Sequence, residues 1–184
     1  MTWPVVLPLI GLDGIALAKG NHAHREQAVC AMEAVSWLAG EPHSDQPQCA
    51  CPVIGTFVMG WNDGLPTDAE RNRLLKPLLP LLIGSRSTRA VELQRSYLAF
   101  DWLARAHAPA FLEVSPALKA HADTLRALAP LVDKETVEAA TAALAAALDA
   151  AGAAAGAALK PIVEQLQISA GDLVRRMVAI AETL

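Results

Sequence analysis

Aromatic side chains are scarce here: four Trp, three Phe and one Tyr, 4% of 184 residues. Apolar residues reach 53%, but much of that fraction is alanine, above all after residue 139, so fewer large side chains serve a core than the percentage suggests. Positive charge is short as well. Fifteen Lys and Arg against nineteen Asp and Glu leave a formal charge of −4. That balance argues against bulk attraction to nucleic acid or anionic membranes, while leaving room for a local basic patch.

Cysteine is too rare for a disulfide framework. Three is an odd count, and Cys49 and Cys51 stand too close for an ordinary staple, which fits a reducing compartment. The first fifteen residues are apolar but contain Pro4, Pro8 and Asp13 and no basic n-region, so they do not read as a signal peptide. Long strongly apolar runs are missing too. Ala139 to Leu159 has the length to span a bilayer, yet alanine is weakly apolar and Asp149 interrupts it. No membrane association and a cytoplasmic location are therefore expected. The P-loop, G-x-G-x-x-G, H-E-x-x-H and G-x-S-x-G motifs are all absent, so none of those chemistries is announced.

What is present reads as helix. The expected fold is all-α, a multi-helix orthogonal or bundle-like single domain with an irregular N-terminal arm and room for a short β-hairpin. Residues 1–112 form the arm plus a motif-bearing body, and residues 113–184 an Ala-rich helical segment packed on it. The arm, with Pro4, Pro8, Gly11 and Gly14 as breakers, is expected to bury Val5, Val6, Leu9, Ile10 and Ile15. Ala28, Met32, Val35 and Ala39 repeat at helical spacing, predicting a helix over Arg25–Ala39 that Gly40 ends, with Cys30, Glu33 and Trp37 along a second stripe.

Pro52 suits the first turn of a helix reaching Asn62, with Cys51 near its N-cap. Thr67-x-x-Glu70 is a capping box, and Pro77 and Pro80 should break the leucine-rich run that Gly84 closes. Further helices are predicted over Thr88–Ala106, from Ser115-Pro116 to Leu128, from Asp133 to Ala158, and from Lys160, where Leu173, Met177, Ile180 and Leu184 share a face. Arg95 and Asp101 fall within apolar stretches and should be partly buried and paired. Gly152-x-x-x-Gly156 leaves a smooth surface for close intramolecular packing or a homo-oligomer interface.

The chemistry-bearing residues gather between Cys30 and Asp63. Cys49, Cys51, His43 and Asp45, with Glu33 and Cys30 beyond them, are donors zinc accepts, although C-x-C is not the C-x-x-C knuckle. A cysteine at a helix start can be a reactive thiol, with His43 as base. Glu33, Glu41 and Asp45, with Asn62 and Asp63 at the far end of the next helix, could form a carboxylate site; alternatively Ser44, Asp45 and Glu41 fit loop chemistry, in which such side chains bond nearby backbone N–H groups and hold an irregular segment in place. Gly84-Ser85-Arg86-Ser87-Thr88-Arg89, with Arg71 and Arg73 as possible additions, precedes a helix start suited to an anion.

The runs L-A-K-G-N-H, C-A-M-E-A-V-S-W-L-A-G-E-P-H-S-D-Q-P-Q-C-A-C-P-V-I and W-N-D-G-L-P, followed by R-x-x-L-x-P-L-x-P, resemble a group of small bacterial and phage proteins without an assigned activity. The resemblance covers residues 16–112. It implies that Cys30, Glu33, Glu41, Ser44, Asp45, Cys49, Asn62 and Asp63 mark the group, as an active site or as a folding signature.

The expected function is a non-enzymatic binding or accessory protein whose small-molecule pocket or protein-partner surface lies near residues 30–63, with Glu33, Glu41, Asp45, Asn62, Asp63, Arg86 and Arg89 as binding residues. The alternatives are a metal- or thiol-dependent hydrolase using Cys49, Cys51, His43, Asp45 and Glu33, with zinc or no cofactor, and a subunit of a larger assembly.

Overall fold

Short-range steric rules set most element ends. The computed structural model describes residues 11–26, 28–151 and 160–180. Helix α1 (Ala31–Leu38) stops just before Gly40, which takes φ +70°, a left-handed value that costs a residue with a Cβ roughly 1–2 kcal/mol. Helix α2 (Pro52–Gly64) has proline in its first turn, where a missing N–H does no harm. Helix α3 (Asp68–Leu74) is capped by Thr67 Oγ1, which accepts the Glu70 N–H at 3.2 Å. Pro77 and Pro80 break the leucine run into a 3-10 turn, Lys76–Leu78, and a single turn of helix, α4 (Leu79–Leu82).

Helix α5 (Arg89–Trp102) widens into a π-helical turn at Leu103–His107 before α6 (Ala108–Leu112). Pro109 has no N–H to return to the preceding turn, so the regular helical ladder is broken there in any case. A 3-10 turn, Pro116–Leu118, leads into α7 (Lys119–Arg126). Helix α8 (Lys134–Ala151) begins after Asp133, whose carboxylate accepts the Thr136 N–H at 2.9 Å. Helix α9 (Lys160–Ala179) is the last among the described residues.

The fold is all-α. Among the described residues there is no strand, and Leu17 makes an isolated parallel bridge with Val29; residues 1–10, the first part of the arm expected to have room for a hairpin, lie outside the described residues. The Ala18 N–H donates to Val29 O at 2.9 Å, and the Val29 N–H to Ala16 O at 3.2 Å. This bridge corrects the predicted start of the first helix. Val29 is held extended, so α1 begins at Ala31 and not at Arg25. Ile15 and Leu17 are buried; Val5, Val6, Leu9, Ile10, Gly152, Gly156 and Leu184 lie outside the described residues.

The chain divides into two compact units. Residues 1–92 and 174–184 form one, in which α1 packs on α2 and α4. Met32, Val35, Ile54, Val58, Leu79 and Leu82 are buried there, each worth about 1.5–3 kcal/mol as a buried side chain. Residues 93–173 form the other, in which α7 packs on α6 and α8. Its core joins Leu112, Leu118 and Leu125 to Ala122 and Ala147, small side chains that let helices approach closely. Asp101 accepts bonds from Arg105 Nη1 and the Leu131 N–H, both at 3.0 Å, and Arg95 is fully buried, as their apolar surroundings in the sequence predict.

Candidate functional site: a pinned polar loop and the pocket beside it

Glu33 sits in the first turn of α1 and is 1% exposed. Its carboxylate accepts the Cys30 N–H at 2.7 Å and the His22 N–H at 2.8 Å, and it faces His22 Nδ1 at 3.1 Å. Cys30 Sγ accepts the Glu33 N–H at 3.4 Å, completing a capping box with cysteine in the usual place of serine or threonine. Burial works to raise the Glu33 carboxyl, but the backbone bonds from His22 and Cys30 outweigh it and hold it below the usual range. Burial pushes the Cys30 thiol up to about 12. His43 Nε2 lies 2.7 Å from His22 O and 3.8 Å from Glu33 Oε1, which ties the 41–50 loop to the segment after the arm.

Glu41 does for the loop what Glu33 does for the helix. Its two carboxylate oxygens accept the Gln48 N–H at 2.6 Å and the Cys49 N–H at 2.7 Å. Ser36 Oγ donates to Glu33 O at 2.8 Å and accepts the Ser44 N–H at 3.3 Å. At the loop's end, the Cys51 N–H donates to Ser85 Oγ at 2.9 Å, and the Arg86 N–H to Cys49 O at 3.0 Å. Cys49 is fully buried, and burial followed by the Glu41 carboxylate pushes its thiol up to about 11.

The far end of α2 is held in the same way. Asn62 Oδ1 accepts the Ala31 N–H at 3.3 Å, and its Nδ2 donates to Ala18 O at 3.1 Å. Asp63 accepts the Gly20 N–H at 3.0 Å, the leading cause of its lowered carboxyl. Arg71 is buried, donating to Asn62 O at 2.7 Å, to Leu65 O and to Asp68. It is committed to this helix end and takes no part in an anion loop with Arg86.

Beside the pinned loop lies a pocket of about 310 Å3. Its floor and one wall come from Met32, Cys51, Gly55 and Met59, and its rim includes Asp45, Gln48, Thr56 and Arg86. A Cβ on Gly55 would stand 3.3 Å from Met32 Cε, so this glycine lets α1 and α2 meet under the pocket. No side chain caps the start of α2, which faces this space. Arg86 is exposed, and among the described residues its guanidinium has no hydrogen-bond or ion-pair partner. Arg89, at the start of α5, is not among the pocket walls.

The residues expected to form a site thus divide. Glu33, Glu41, Asn62 and Asp63 are occupied with backbone groups, whereas Asp45 and Arg86 face the pocket. Among the described residues no three His, Cys, Asp or Glu side chains are grouped to hold a metal ion, so Cys49, Cys51, His43 and Asp45 are not gathered as ligands. His22, Asn72 and Met59 were not singled out by sequence reasoning, and Ser85 was named only in the anion loop, whereas its Oγ accepts the Cys51 N–H. Asn72 brackets Leu17 across 55 residues, its Oδ1 accepting the N–H at 3.1 Å and its Nδ2 donating to O at 3.2 Å. Comparison with family models, curated proteins and solved structures finds no match to this chain. No helix among the described residues is long and apolar enough to cross a membrane.

Proposed function

We propose that this chain is a non-enzymatic binding or accessory protein that takes a small molecule into the pocket rimmed by Asp45, Gln48, Thr56 and Arg86. One observation carries the reading: Arg86 stands at the pocket without a hydrogen-bond or ion-pair partner among the described residues, while the carboxylates of Glu33, Glu41 and Asp63 are engaged by backbone N–H groups. A buried acid that accepts two or three N–H bonds holds structure and is poorly placed to shuttle protons. A thiol-dependent hydrolase would need an accessible thiolate at Cys49, whose burial opposes it. An accessory role in the cytoplasm suits both the free buried cysteines and the bacterial and phage group that residues 16–112 resemble.

The test is a fragment screen by NMR on 15N-labelled protein, run on the natural chain and on Thr56→Trp, which adds bulk at an exposed pocket position. Hits should shift backbone amides between residues 45 and 59 and near Arg86, and Thr56→Trp should abolish those shifts. Hits that shift other amides, or that survive in the variant, count against this pocket.

A further inference from the structure

We infer that the ligand is a small zwitterion, an aliphatic amino acid in chemical class, whose carboxylate meets Arg86 and whose ammonium meets Asp45. The inference rests on the pocket reading above and deepens it. Both charged residues line the same space of about 310 Å3, yet no ion pair joins them. Asp45 accepts one hydrogen bond, from Asn21 Nδ2 to Oδ2 at 3.3 Å, which leaves Oδ1 without a partner among the described residues. Arg25 is engaged with Glu41 O, Arg71 with Asn62 O and Asp68, Arg105 with Asp101 and Arg126 with Glu113; Arg73 and Arg89, like Arg86, have no such partner among the described residues, but neither lines this pocket. Two opposite charges that share a pocket without neutralising each other offer two separate addresses.

The rest of the pocket fits such a guest. Met32 and Met59 provide flexible thioethers that adapt to an aliphatic chain. The volume lies at the low end of small-molecule sites, about 300–1,000 Å3, which suits an amino acid better than a nucleotide. Selectivity follows from the unmatched charge. A simple carboxylate would leave Asp45 facing an apolar end, a simple amine would do the same to Arg86, and a neutral guest would desolvate both.

The experiment is calorimetric titration with L-leucine, 4-methylpentanoate and 3-methylbutylamine, on the natural chain, Arg86→Gln, Asp45→Asn and Thr56→Trp. Leucine should bind the natural chain at least tenfold more tightly than either analogue. Arg86→Gln should weaken leucine about tenfold to a hundredfold without weakening the amine, and Asp45→Asn should weaken leucine without weakening the carboxylate. Both variants alter side chains outside the core, so unchanged melting keeps the result interpretable. An analogue that matches leucine, or leucine binding that ignores Arg86→Gln, overturns the zwitterion. No leucine binding at millimolar concentration, with fragments still shifting the pocket amides, overturns the ligand class alone. Leucine binding that survives Thr56→Trp overturns the pocket itself.

Discussion

Glu33 and Cys30 cap each other: the carboxylate accepts the Cys30 N–H at 2.7 Å, and the Cys30 sulfur accepts the Glu33 N–H at 3.4 Å. The same carboxylate receives the His22 N–H, so one acid starts α1 and anchors the segment that precedes it. Cysteine serves here as a capping residue, a role serine fills better. Cys30→Ser should keep the fold with stability close to the natural chain, whereas Cys30→Ala should cost about 1 kcal/mol, or about 2–4 °C in Tm. Thermal denaturation of the two variants checks the ordering. Equal melting would mean that the sulfur contributes nothing to the cap.

Acid should loosen this arrangement in a defined direction. The Glu33 carboxyl is lowered in the folded chain, so its stabilisation is complete above the unfolded value, about 4.3, and fades as pH falls through the folded value. Glu33→Gln should lose about 2–3 kcal/mol at neutral pH, because strong charge-assisted bonds to two backbone N–H groups are weakened. Its denaturation curve should then depend less on pH below about pH 5, so that variant and natural chain converge in acid. Urea unfolding from pH 7 to pH 3 measures both slopes. Parallel slopes would remove Glu33 from the account of acid stability.

The thiols should be silent in the native protein. Cys30, Cys49 and Cys51 are at most 5% exposed, and burial raises Cys30 to about 12 and Cys49 to about 11. Maleimide labelling at pH 8 should run roughly a hundredfold slower or more than in denaturant, following transient opening of the fold. Rapid native labelling of Cys49 would revive the thiol-dependent alternative.

Much of the helical frame was legible from short-range rules. Gly40 and Gly84 needed positive φ, Pro52 suited a first turn, and Pro77 with Pro80 had to break a helix. The start of α1 was not, because cysteine is outside the preferred capping set and the Leu17 bridge that fixes Val29 is a tertiary contact. Glu41, with Ser44 and Asp45, read as loop chemistry from residue types alone, and its bonds to Gln48 and Cys49 follow that pattern. The pocket was out of reach. Arg86 stood out in a polar G-S-R-S loop, but only the fold sets it beside Asp45, Thr56 and Met59.

The division between residues that hold the fold and residues that face the pocket is tested most directly by melting Glu41→Gln and Arg86→Gln side by side. Glu41→Gln weakens the carboxylate bonds to the Gln48 and Cys49 N–H groups and should lower Tm by about 4–8 °C, equivalent to about 2 kcal/mol. Arg86→Gln should melt with the natural chain, since its guanidinium has no partner among the described residues. If Glu41→Gln melts unchanged, or Arg86→Gln falls with it, the polar loop is not a folding signature and the pocket is not a separate site.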